Sequence, residues 1–194
     1  MIEKLKAKFD GQFKMSEPLW TEIKANAKEI FLEKNEALVP YSSLKKAAYA
    51  VVQGSLKQSI IDSSGEKTTT WFFFEHIFDV AVCLDSYILQ EHTKYEITAL
   101  EKSWVYQIRK DKVDDWCQRF PEFNTFYRED ILNSFFLATE IKNHMASHTP
   151  AEFVHYLQKY YPEIIAKVPS KYLAEFMGIT AEWLSKIKKT ISKE

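Results

Sequence analysis

A chain of 194 residues, 46% of them hydrophobic and 15% aromatic, has enough apolar side chains to bury a substantial core, which excludes disorder as the default. Its 26 Lys and Arg against 27 Asp and Glu give a net charge of -1, so any affinity for nucleic acid has to come from local clustering of charge. The two cysteines, Cys83 and Cys117, form no CxxC pair and fit ordinary thiols in a reducing compartment better than a disulfide framework.

The opening tract MIEKLKAKFD is charged and lacks the continuous apolar stretch of a signal peptide. No later segment is long and apolar enough to cross a bilayer, so a cytoplasmic location is expected. Residues 16 to 29 read as a short amphipathic helix that opens the fold, with Ser16 as N-cap, Glu17 and Pro18 in the first turn, and Leu19, Trp20 and Ile23 at helical spacing. From about residue 30 to 109 the pattern is mainly strands. AYAVVQGSLKQSII is rich in β-formers and broken by Gly54, KTTTWFFF and YEITAL follow the turn-like DSSGE, and SWVYQI adds a further strand. Short strands divided by turns predict an antiparallel roll or sandwich rather than a βαβ sheet. In the run Trp71 to Phe74, alternate side chains face opposite sides of a strand, and core packing explains it better than a ligand pocket.

After RKDK the period becomes helical. Asp111 is placed to cap a short helix through Val113 and Trp116 that Pro121 ends, and Glu122 to about Met145 reads as one long helix. Tyr127, Ile131, Ser134, Ala138, Ile141 and Met145 alternate spacings of four and three, the seam expected where two helices lie side by side in a dimer. Leu132, Phe135 and Phe136 fall outside that seam and predict a second face against the helix's own domain. Thr149 and Pro150 start another helix, TPAEFVHYLQKYY.

The tract PSKYLAEFMGITAEWLSKIKKTI, residues 169 to 191, predicts a helix-turn-helix. Ser170 caps a first helix with Leu173, Ala174 and Met177 inward, Gly178 permits a positive φ at the corner, Ile179 is buried in the turn, and Thr180 caps a second helix with Leu184 and Ile187 inward. Two helices meeting steeply need a small residue such as Ala174 at the crossing. The outward face of the second helix carries Ala181, Glu182, Ser185, Lys186 and Lys189, placed as a recognition helix offers side chains to base edges. Lys167, Lys171, Lys186, Lys188, Lys189 and Lys193 outnumber Glu175, Glu182 and Glu194, so this end of a neutral chain is locally basic and suited to phosphate. The plainer alternative is an αα-hairpin with a solvated lysine face.

KVPSKYLAEFMGITAEWLSKIKK resembles the C-terminal tract of the Crp/Fnr regulator superfamily, particularly its short-tailed Bacteroidetes-like members. AYAVVQGSLKQSIIDSSGEKTT and YEITALEKSWVYQIRKDKVDDW resemble the cyclic-nucleotide-binding domain and its entry to the dimer helix. The resemblance implies an α+β fold with an N-terminal antiparallel β-roll of jelly-roll type over residues 1–110, a connecting and dimerisation helix over 111–147, and a helix-turn-helix domain over 148–194. It also implies a homodimer on double-stranded DNA. The expected DNA-binding residues are Lys171, Thr180, Ala181, Glu182, Ser185, Lys186 and Lys189. By the resemblance, Glu182 stands where the family has a base-contacting glutamate and Lys186 where it usually has an arginine. Ala181 replaces another frequent arginine and Trp183 a small residue. Lysine lacks arginine's bidentate fork, which weakens any guanine readout.

The family's phosphate-binding cassette pairs Gly-Glu with Arg-Ser or Arg-Thr. Here the corresponding stretch is HIFDVAVCLDSYILQEHTKYEITAL, with Thr93 and Lys94 at the Arg-Ser position and no glycine before Asp79. Asp79, Thr93 and Lys94 are the candidate ligand-binding residues. No cofactor is expected, no response to cyclic AMP, and an effector, if one is used, is an unidentified small molecule. Glu140, His144 and His148 share a helical stripe, but exposed histidines near a helix C-terminus are favoured by its dipole, and no metal is expected. His76 and His92 form no His-x-His cupin pattern, and no nucleophile, base and oxyanion donors come together, so no enzyme is expected. The competing reading is a ligand-sensing or protein-interaction module of the same fold that has lost specific DNA binding.

Overall fold

The computed structural model describes residues 1–11 and 13–191. Lys193 and Glu194, counted above in the basic tail, lie outside the described residues.

Two four-stranded sheets form the N-terminal half. One is ordered β1 (Lys28–Leu32), β8 (Ser103–Arg109), β3 (Ala47–Gln53), β6 (Val80–Ala81); the other β2 (Ala37–Val39), β7 (Tyr95–Ala99), β4 (Ser55–Ile61), β5 (Lys67–Phe74). Every pairing is antiparallel, and strands adjacent in sequence fall largely into different sheets, as in a jelly roll. The chain passes from β3 in one sheet to β4 in the other through a single residue, Gly54, at φ +96°. A Cβ there would stand 2.3 Å from Ser103 Oγ and 2.8 Å from the Lys102 carbonyl, so only glycine fits. Leu38, Val39, Val51, Leu56, Phe73, Ile97 and Val105 fill the space between the sheets. The aromatic run is divided by the strand's period of two: Phe73 enters this interior, whereas Phe72 and Phe74 face outward into a second core shared with the C-terminal helices.

Helix α1 (Ile2–Asp10) precedes the helix expected to open the fold. Its Leu5 and Phe9 join Leu19, Trp20 and Ile23 of α2 (Glu17–Asn26) against Trp116 and Phe123. The chain's charge-rich start concealed this narrow apolar stripe. α2 stops at Asn26, short of residue 29, because Lys28 already pairs with Gln107 in β1. Ser16 occupies the N-cap position but makes no cap bond; its hydroxyl donates to Glu122 at 2.7 Å.

α3 (Lys110–Arg119) has Arg109 rather than Asp111 at its N-cap; Asp111 lies in the first turn and takes the Arg109 Nε–H at 2.8 Å. Pro121 does not merely end α3: as the first residue of α4 (Pro121–Ser147), where its missing N–H costs nothing, it starts the long helix.

The expected roles along α4 need two corrections. Ile141, assigned to the dimer seam, is 1% exposed and sits in the chain's own core with Leu100, Phe153 and Leu157. Leu132, Phe135 and Phe136, expected to pack on their own domain, are 59%, 70% and 61% exposed. The reason is geometric. α4 bridges two cores, Tyr127 packing in the N-terminal one and Ile141 in the C-terminal one, and the span of roughly 21 Å between them leaves its apolar residues outside both. Ile131 and Ser134 are exposed there too, while Ala138 and Met145 are half-buried, Met145 against the C-terminal core.

α5 (Pro150–Tyr160) begins with a capping box between Thr149 and Glu152. α6 (Pro162–Lys167), α7 (Ser170–Met177) and α8 (Ala181–Ile191) complete the fold. Among the described residues, no helix is long and apolar enough to cross a membrane.

Candidate nucleic-acid interface

α7 and α8 form two helices joined at a glycine corner. Gly178 adopts φ 66°, its N–H bonds the Glu175 carbonyl at 3.1 Å, and the Ile179 N–H reaches back to Ala174 at 3.0 Å, closing the helix end in a Schellman-type arrangement. Leu173, Ala174, Leu184 and Ile187 are buried together, with Met177 and Ile179 partly buried against them. Ala174 is 2% exposed, which keeps the two helices close. Thr180 Oγ1 accepts from the Trp183 N–H at 3.2 Å and caps α8. Ser170 is not the cap of α7: Pro169 holds that position, and Ser170 is the first helical residue.

The expected contact residues Thr180, Ala181, Glu182, Ser185, Lys186 and Lys189 are all exposed on α8 or at its start, and Lys171 is exposed on α7. Other lysines of the basic tail are engaged elsewhere. Lys188 is half-buried, reaches Ser170 Oγ at 3.3 Å, and has its pKa lowered by burial. Lys167 turns to the roll, 3.5 Å from Glu75 and 3.8 Å from Glu101.

The candidate ligand residues do not form one group. Asp79 makes an ion pair with Lys8 of α1, whose ammonium also bonds the Glu75 carbonyl at 2.9 Å. Asp130 on α4 feels both charges; burial first, then Asp79, push its carboxyl up to about 6. Thr93 is 1% exposed, its hydroxyl accepting from the Tyr95 N–H at 3.0 Å. Lys94 donates its backbone N–H at 3.0 Å to Asp85, which opens the π-helical turn Asp85–Leu89, and its ammonium lies 5.7 Å from the Tyr95 ring. Burial pushes the nearby Cys83 thiol up to about 11, which leaves it unreactive. Among the described residues, no three or more His, Cys, Asp or Glu side chains are grouped to hold a metal ion.

No family model matches the chain. The transcriptional regulatory protein btr of Bordetella pertussis is 25% identical over 174 residues, covering 84% of this chain and 70% of its own length. The c-di-GMP-responsive global regulator CLP of Xanthomonas campestris superposes with a TM-score of 0.69 at 11% identity, over 92% of each chain. A Crp/Fnr-family transcriptional regulator from Eubacterium rectale does so with a TM-score of 0.66 at 13% identity, covering 92% of this chain and 84% of that one.

The chain has the Crp/Fnr regulator fold. The proteins that share it here are transcriptional regulators, not enzymes. Within the Crp/Fnr fold, sequence reasoning missed the groups that join roll to helix-turn-helix: Thr69 and Glu175, Lys57 and Tyr172, and the rings of Trp71 and Phe72 against Phe176. It also missed Lys8 and Asp130. One signal was present, since Ser55, Lys57 and Ser59 give one face of β4 a polar character, but nothing in one sequence says what covers that face.

Proposed function

We propose that this chain is a homodimeric, cytoplasmic transcription regulator of the Crp/Fnr type that docks α8 in the major groove of duplex DNA and does not respond to cyclic AMP. One observation carries the reading. The glycine-cornered helix pair buries Leu173, Ala174, Leu184 and Ile187 while every residue expected to touch DNA remains exposed. Residues 1–110 then serve as the roll, 111–147 as connector and dimer helix, and 148–194 as the DNA-binding unit. The exposed apolar band of Ile131, Leu132, Phe135 and Phe136 supports a dimer, because four large apolar side chains lie together on one helix with nothing of the chain's own packed over them. Insensitivity to cyclic AMP is supported by chemistry. No arginine occurs between residues 79 and 94, Thr93 is buried, and Asp79 is occupied by Lys8.

Salt titration of binding to the DNA upstream of its own gene tests the reading. With Lys171, Lys186 and Lys189 from each protomer on phosphates, log affinity should fall with log salt at a slope of about -5. Absence of retention even at low ionic strength overturns it.

Trp183 favours a second reading, a ligand-sensing or protein-interaction module. It is 49% exposed on the face where the resemblance expects a small side chain. Under that reading, Glu182→Ala and Lys186→Ala leave DNA retention unchanged.

A further inference from the structure

Beside the DNA-facing side of α8, the end of α4 and the outer face of α5 border an open cleft of about 800 Å³, within the size range of pockets for organic ligands. Its floor is a shelf of rings. His144 stacks on Tyr156 with centroids 3.8 Å apart, His148 follows His144 at 4.8 Å, and Tyr160 follows Tyr156 at 5.1 Å. The half-exposed Trp183 of α8 lines the same cleft.

The two ammonium groups lining the cleft outnumber its one carboxylate. Lys159 of α5, its ammonium 4.9 Å from the Tyr160 ring, and Lys186 of α8 both line it. The acidic lining residue, Glu152, is already committed: its carboxylate accepts from the Thr149 N–H at 2.8 Å and the Thr149 hydroxyl at 2.7 Å. The histidines do not make this a metal centre, because they belong to no metal-holding group among the described residues and His144 is stacked face-on with Tyr156.

We infer that this cleft binds a planar aromatic anion of the aryl carboxylate class. Its ring is taken up between the Tyr156 shelf and Trp183, and its carboxylate is held by Lys159 and Lys186. Flat π surfaces favour a stacked ring, and the two ammonium groups favour a delocalised anion over a neutral ring of the same shape. Binding does not depend on the proposed function. Its consequence does: Lys186 cannot serve a bound carboxylate and a DNA phosphate together, so the ligand should release DNA.

Isothermal titration of the whole chain tests this with three probes. 2-Naphthoate has ring and charge, cyclohexanecarboxylate has charge without a π face, and 2-naphthalenemethanol has rings without charge. One site per chain is expected, with 2-naphthoate at least about tenfold tighter than either control. Trp183→Ala and Lys159→Gln, both at exposed positions, should each weaken it about three- to tenfold while circular dichroism stays unchanged. No saturable binding of 2-naphthoate, equal binding of cyclohexanecarboxylate, or unchanged affinity in both variants overturns the inference. If 2-naphthoate binds as described but no DNA is retained even without it, the DNA reading fails and the site stands.

Discussion

Thr69 on β5 donates a 2.7 Å hydrogen bond to the Glu175 carboxylate on α7, joining the roll to the first helix of the helix-turn-helix. Beside it Lys57 of β4, only 8% exposed, bonds Ser59 Oγ at 2.7 Å and lies 4.6 Å from the Tyr172 ring. Burial lowers the Lys57 pKa, and the Glu175 charge is the largest effect opposing that. Phe72 and Phe74 of β5 share a core with Leu173 and Leu184, so the strand that lines the roll's interior with Phe73 seats α7 and α8 with its other side. A change inside the roll therefore has a short path to α7.

The Thr69 to Glu175 bond should behave as a coupled pair. A hydrogen bond to a charged group is worth about 1.5–3 kcal/mol, and a pair in contact departs from additivity. Urea unfolding of Thr69→Val, Glu175→Gln and the double variant should give a coupling of about 1 kcal/mol or more. Additivity within about 0.5 kcal/mol means the two halves are not joined through this bond.

Ala174→Leu should cost about 1–3 kcal/mol, because a well-packed site cannot take three more carbons without displacing a helix. Ala174 shares its core with Phe72 and Phe74 of the roll as well as with Leu184, so the strain should reach the domain junction. The separate core between the sheets should stay intact. Far-UV circular dichroism is expected to retain the strand signal while DNA retention is lost. Retained binding contradicts the placement of the helix crossing.

The strands, the long helix and the glycine corner were legible because each rests on a local rule. β-Branched and aromatic composition after Gly54 and on both sides of the DSSGE turn fixed β4 and β5, Pro121 and the 3.6-residue period fixed α4, and the positive φ demanded after Met177 fixed the turn at Gly178. The partners of these elements were not legible. The alternating spacing of four and three along α4 says that Ile131 and Ile141 both fall at seam positions, but not that one is exposed and the other enclosed with Leu100, Phe153 and Leu157, because that depends on how α5 and the roll fold back onto α4. The ion pair of Lys8 with Asp79 joins residues 71 positions apart by sequence number, and each looks like an ordinary surface charge until folding brings α1 onto the roll.

Oligomeric state should separate the two kinds of apolar residue on α4. Phe135→Asp replaces a side chain that is 70% exposed, so a folded monomer should lose no more than about 0.5 kcal/mol, while sedimentation should move from dimer to monomer. Ile141→Ala empties a site that is 1% exposed and should cost about 2–5 kcal/mol whatever the oligomeric state. An unchanged sedimentation coefficient for Phe135→Asp removes the exposed band from the interface.

Asp130 should make the protein less stable as the medium turns neutral. Burial, and then the charge of Asp79, raise its carboxyl from the ordinary 3.8 to about 6, only partly offset by Lys8. Between those values the folded chain holds a proton that the unfolded chain has released, so raising the pH from about 4 to 6 favours unfolding, and the loss is complete above about 6. Asp130→Asn removes the ionisation and keeps the shape. It should leave stability at pH 4 nearly unchanged and raise it at pH 7.5 by about 1–2 kcal/mol, less than the full shift implies because the group retains some contact with solvent. Urea midpoints of the two proteins across pH 4 to 7.5 decide the matter: parallel curves would mean that Asp130 is charged throughout and that Lys8 neutralises both carboxylates.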